Sequence, residues 1–217
     1  MNPIARLWRN CSLSLVLLTC FLLALVAQVL VGHAVDNQDV VEAGGQPLTL
    51  LQYLGSGHFM EATFENWESE FLQMAMYVVL TVRLRQRGSA ESRPVEGGTD
   101  ATVEPGPQPW PVRAGGVWLW LYRRSLLLAF GALFAASFVL HLIGSWRAAV
   151  DQRLLEGKPV VGWLDWLCGA EFWFESFQNW QSEFLAVLAL VVLTIWLRQD
   201  GSPQSKPVAA PNRQTGA

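Results

Sequence analysis

Phe64 to Phe71 read F-E-N-W-E-S-E-F, and Phe177 to Phe184 read F-Q-N-W-Q-S-E-F. The offset is 113 residues, and it runs without a gap far beyond the motif. Each copy leads into an apolar run, Leu72 to Val82 in the first and Leu185 to Leu197 in the second. Each run ends in the same coda: L-R-Q-R-G-S-A-E-S-R-P-V from Leu84 to Val95, and L-R-Q-D-G-S-P-Q-S-K-P-V from Leu197 to Val208. The chain is one unit used twice.

Outward from the motif, composition points to a membrane. Of the 217 residues 52% are hydrophobic and only 15% charged, and the apolar ones are bunched into runs with the charges pushed between them. That is the pattern of spanning helices rather than of an amphipathic soluble fold. Three cysteines, Cys11, Cys20 and Cys168, form no C-x-x-C unit, so a metal or redox motif is not expected.

Four crossings are expected. The first covers residues 12–32, whose central 19 residues would make about 28 Å of helix. Its counterpart at 125–146 is internal, which argues against a cleaved leader at the N-terminus. Leu72 to Val82 is too short to span by itself, so the second helix must borrow from the motif upstream. It is expected to begin near Phe59 and end by Gln86, with Gly88 just past its C-cap and a span of about 61–85. The fourth span is expected at about 174–198. Short helices at Pro47 to Leu54 and Val160 to Leu167 should lie at the membrane interface. Gly131 and Ala135 have the spacing of a close helix contact. His33 and His58 read as loop histidines. Residues 1–95 then form the first two-helix repeat and 117–208 the second. A disordered linker at 96–116 separates them, and a disordered tail at 209–217 follows.

The basic residues set the orientation. Of 15 Lys and Arg, Arg147, Arg153 and Lys158 fall in the two loops between paired helices; the other twelve fall in the N-terminus, the middle segment and the C-terminus. The positive-inside rule then places both termini in the cytoplasm and both repeats in one orientation. The fold class expected is an all-α, four-transmembrane-helix protein built from two parallel two-helix repeats.

The motif E-N-W-E-S-E-F-L-Q, followed beyond the helix by L-R-Q-R-G-S-A-E-S, resembles a domain-of-unknown-function family of small bacterial integral membrane proteins. The resemblance covers nearly the whole chain. It implies a bacterial inner-membrane address and no activity, substrate or cofactor.

On a helix, Asn66, Glu70, Gln73, Tyr77 and Thr81 line one face. The second copy offers Asn179, Glu183, Ala186, Leu190 and Thr194, so the polar stripe is shared at the outer end and lost at mid-depth. Gln28 and Glu70 each lie about 21–22 Å above the inner ends of their helices, and the offset carries them onto His141 and Glu183. One intramembrane polar cluster of Gln28, Asn66, Glu70, His141, Asn179 and Glu183 is therefore expected near the outer face. Trp67 and Trp180 read as interfacial anchors. The expected role is structural or accessory, in the lipid bilayer, with a second copy or another membrane protein as partner. The alternative is a small transporter or channel subunit using the polar cluster. No enzyme, cofactor, metal or nucleic-acid partner is expected, for no phosphate loop, nucleophile elbow or metal-spaced cluster is present.

Overall fold

A computed structural model of the chain describes residues 3–95 and 105–216, with side chains from Arg6 onward. The described residues are all-α: α1 (Pro3–Glu42), α2 (Leu50–Leu54), α3 (Gly57–Arg83), α4 (Trp110–Ala114), α5 (Gly116–Tyr122), α6 (Ser125–Leu155), α7 (Trp163–Leu167) and α8 (Ala170–Leu193). The duplication is visible in the element limits. Adding 113 to the limits of α2 gives those of α7, the start of α3 gives the start of α8, and the end of α1 gives the end of α6.

Among the described residues, α1 and α6 are long and apolar enough to cross a membrane. Helices α3 and α8 are long enough, at about 40 and 36 Å, but acidic residues interrupt their apolar runs. Two helices, not four, therefore qualify by length and composition.

Both long helices run past the expected ends near residues 32 and 146. At 40 residues α1 is about 60 Å long, twice a 30 Å hydrocarbon core. Nothing between Gly32 and Glu42 breaks a helix, so polarity changes while the backbone continues. Termination comes at Gly44, with φ 83°, and at its counterpart Gly157, with φ 66°. Gly44 N–H donates to Val41 O and Gly45 N–H to Val40 O; Gly157 and Lys158 repeat this on Leu154 and Arg153. This is a Schellman cap, made twice.

The chain divides into two compact units, Met1–Thr63 with Leu140–Cys168 and Phe64–Val139 with Gly169–Ala217. In the first unit each short helix is pinned under its long one. Thr49 and Gln52 form a capping box at the start of α2. Tyr53 is buried, and a Cβ at Gly32 would collide with its hydroxyl. At the equivalent place Trp166 Nε1 donates to Ser145 Oγ at 2.9 Å. His33 Nε2 lies 2.7 Å from Leu48 O, and its counterpart Trp146 donates through Nε1 to Val161 O at 2.9 Å. His33 is thus helical, not a loop residue, and the strap after α1 hangs from it. His58 also lies in a helix, in the first turn of α3, with Nδ1 3.3 Å from the Tyr53 hydroxyl. Burial and then Asp36 push the Tyr53 phenol above its ordinary pKa, so it stays neutral.

The same unit holds a close helix crossing. A Cβ at Gly144 would sit 2.5 Å from Glu61 N, and one at Gly57 would sit 2.8 Å from Arg147 C, so α3 and α6 meet backbone to backbone through two glycines. Gly131, the expected contact residue, faces open space.

In the second unit Phe138, Phe172, Trp173 and Trp180 stack edge to face with centroids 5.6–6.3 Å apart. Helix α3 ends at Arg83, so Gly88 lies five residues beyond it rather than just past a C-cap. Of the expected disordered linker, residues 96–104 lie outside the described residues, while α4 and the start of α5 occupy part of the remainder.

Burial is inverted relative to a soluble domain. Among the described residues the buried large hydrophobics are Tyr53, Trp166 and Phe172, whereas Thr63, Glu68, Ser69, Ser137, His141, Ser145, Ser176, Thr194 and Lys206 are all buried polar or charged residues. The most apolar stretch of α1 has no buried residue, and Leu13 is 73% exposed.

Candidate functional site: a polar interior and two folded codas

The six expected cluster residues fall in both units. In the first, Gln28 Nε2 donates to Thr63 Oγ1 at 3.2 Å, and His141 is fully buried. His141 and Ser145 follow one another at helical spacing on α6, and both are buried.

In the second unit, Gln73 Nε2 donates to Glu183 O at 2.9 Å, and Glu70 stands three residues before Gln73 on the same face of α3. Asn66 and Glu70 are exposed and Glu183 is half-buried. Asn179 donates through Nδ2 to Glu65 Oε1, and Trp180 donates through Nε1 to Glu68 Oε1 at 2.9 Å. Glu68 has no exposed surface. Trp180 is thus a donor between helices, not merely an interfacial anchor. Glu65 and Glu68 were missed because the motif was read for what its copies share. The signal lay in what they do not share: Gln178 and Gln181, their counterparts, are exposed. The carboxylates stand in the copy that meets donors.

Each coda folds into the same hydrogen-bonded turn. The Arg85 guanidinium donates to the Thr81, Val82 and Leu84 carbonyls, and Arg198 donates to those of Thr194, Ile195 and Leu197. These arginines satisfy the orphan carbonyls at a helix C-terminus. Gln86 N–H donates to Ser92 Oγ and Gln199 N–H to Ser205 Oγ, each at 2.9 Å. Glu91 N–H donates to Ser89 Oγ and Gln204 N–H to Ser202 Oγ, each at 3.2 Å.

The tail, expected to be disordered, is held against the first coda. Lys206 is 1% exposed, and its ammonium donates to four carbonyls, those of Gly88, Ile195, Asn212 and Gln214. Gly88 N–H donates to Thr215 Oγ1 at 2.9 Å and Gly216 N–H to Ser89 O at 2.9 Å. These partners lie over a hundred residues upstream, so local composition did not reveal them. Burial, and then Arg198, push the Lys206 ammonium below its ordinary pKa. The carbonyl cage opposes that by accepting from its charged form.

Chemically, the arrangement offers hydrogen-bonded cross-ties. Among the described residues no group of three or more His, Cys, Asp or Glu could hold a metal. The three cysteines are free. Two grooves lie at the codas, and neither is lined by Glu70 or Glu183.

The family model described as a domain of unknown function, DUF6766, matches residues 4–217. No curated protein and no solved structure matches the chain.

Proposed function

The chain belongs to the DUF6766 family, and from that premise we propose a four-crossing membrane protein with a structural or assembly role. The observation that carries this reading is the inverted burial: apolar side chains cover α1 and α6 while hydroxyls, a carboxylate, an imidazole and an ammonium are buried. Lipid is the solvent that such a surface suits. Helices α3 and α8 complete the crossings, since two carboxylates of α3 take their donors from α8. Glu65 and Glu68 take donors from Asn179 and Trp180, as polar residues between membrane helices do. Both termini and the middle segment lie in the cytoplasm, following the distribution of basic residues. The address is the inner membrane of a bacterium.

In this reading the carboxylates are ties between helices, and no catalytic role is proposed. The second reading, a small transporter or channel subunit, is favoured by Glu70 and Glu183, two carboxylates on helices that Gln73 ties together at Glu183 O. Purified protein in lipid vesicles separates the two. With a proton-sensitive dye inside, the expected result is no flux above empty vesicles, and unchanged assembly size in mild detergent for Glu70→Gln and Glu183→Gln. A flux abolished by either substitution in a folded protein would establish the transporter reading instead.

A further inference from the structure

The two codas fold alike and are used differently. The first works as a hook. Its Ser89 Oγ lies 3.0 Å from Thr194 Oγ1, Ala90 N–H donates to the same oxygen at 3.3 Å, and Gly88 O accepts from Lys206. Hook and receiving groove bury one another: Ser89, Thr194 and Lys206 are all buried. The 113-residue offset defines the reciprocal contact, in which Gly201 and Ser202 of the second coda would meet Thr81 and Arg93 of the first copy. Of these, Gly201 and Arg93 are open, and Ser202 and Thr81 are half-buried. Gly201 is exposed, with nothing within 4 Å of the position a Cβ would take. Arg93 is exposed, and with Thr81 it lines a groove of about 450 Å³ walled by Val78, Val82 and Leu126.

We propose that the chain self-associates through this unmade half of the duplicated interaction: the Gly201–Ser202 hook of one copy docks in the Thr81–Arg93 groove of a second copy. The hook is preformed. Gly201 has φ 76° where Gly88 has 86°, and Ser202 Oγ accepts from Gln204 N–H as Ser89 Oγ does from Glu91 N–H. The groove repeats two features of its occupied twin, a threonine hydroxyl at the same helical register and a cation, Arg93 in place of Lys206, and adds the Glu91 carboxylate where the twin has Gln204. The codas differ by one charge loss, Glu91 to Gln204, and by one charge reversal, Arg87 in the first and Asp200 in the second. The reversal places an acid beside the free hook, complementary to Arg93. Pro203 lacks the N–H that Ala90 uses and instead brings a ring to the walls of Val78 and Val82. Each copy carries one free hook and one free groove, so two copies can satisfy both by exchange.

This inference rests on the assembly reading and names its partner and surface. The test is disulfide trapping in native membranes, with Cys11, Cys20 and Cys168 replaced by serine. Differently tagged Thr81→Cys and Ser202→Cys chains are co-expressed and oxidised. A hydroxyl pair at 3.0 Å places Cβ atoms near disulfide reach. The expected result is a disulfide-linked pair of the two tags, absent when either variant is expressed alone and reduced several-fold by Asp200→Arg. As the control, Ser89→Cys with Thr194→Cys in one chain should close within that chain. No mixed pair while the control closes overturns the proposal. So does a Thr81→Cys, Ser202→Cys chain that closes only on itself. Failure of the control removes the geometry on which the proposal stands. Self-association in mild detergent without the trapped pair would keep the assembly reading and discard this interface.

Discussion

Glu68 and Gln181 occupy the same place in the two copies of the motif, and only Glu68 is buried. Its oxygen accepts from the Trp180 indole, so acceptance, more than charge, is what the position requires. Glu68→Gln keeps an acceptor oxygen and should change thermal stability in detergent little. Glu68→Ala strands the indole N–H and should cost about 1–3 kcal/mol. Equal losses from both would show that charge matters instead. Lys206 is the other residue whose role its copy does not reveal. Lys206→Met removes the donor from four carbonyls at once. It should release the last residues to limited proteolysis and cost about 1–3 kcal/mol, while Arg93→Met, at the exposed counterpart, leaves the tail protected. These roles were illegible because duplication gives like residues unlike neighbours, and a repeat read for what it conserves hides the asymmetry that places Glu68 and Lys206 inside.

The elements were more legible than the residues. The ungapped offset carries the starts of α1, α2 and α3 onto those of α5, α7 and α8, and short helices after residues 47 and 160 follow from short apolar runs bounded by breakers. Apolar composition marks the ends of α1 and α6 too early, whereas the backbone stops at Gly44 and Gly157. Those glycines stand in the sequence at the 113-residue offset and were the better signal. The contact face of α6 was misplaced for a related reason. Small-residue spacing at Gly131 and Ala135 is frequent in apolar helices, while Gly144 needs its partner glycine, Gly57, to be recognised. Gly144→Leu should therefore overpack the crossing and lower stability by about 1–3 kcal/mol or more, whereas Gly131→Leu should be neutral within a few tenths. Melting of purified protein in one detergent checks the pair; similar losses at both would refute the crossing.

At the scale of the molecule, the proposed bilayer suits a chain whose long helices expose apolar side chains while polar residues are buried. The acidic stretch around Asp36 and Asp39 closes α1 and the basic first coda follows α3, and a crossing by α3 would separate them as the positive-inside rule asks. If α3 stops short, its acidic face lies in water and the codas share the side of Asp36. The decisive measurement is a pair of dual topology reporters in a bacterial host, one active in the periplasm and one in the cytoplasm, fused after Gly45 and after Val95. The four-crossing account predicts periplasmic activity at Gly45 and cytoplasmic activity at Val95. The same compartment at both positions would contradict it.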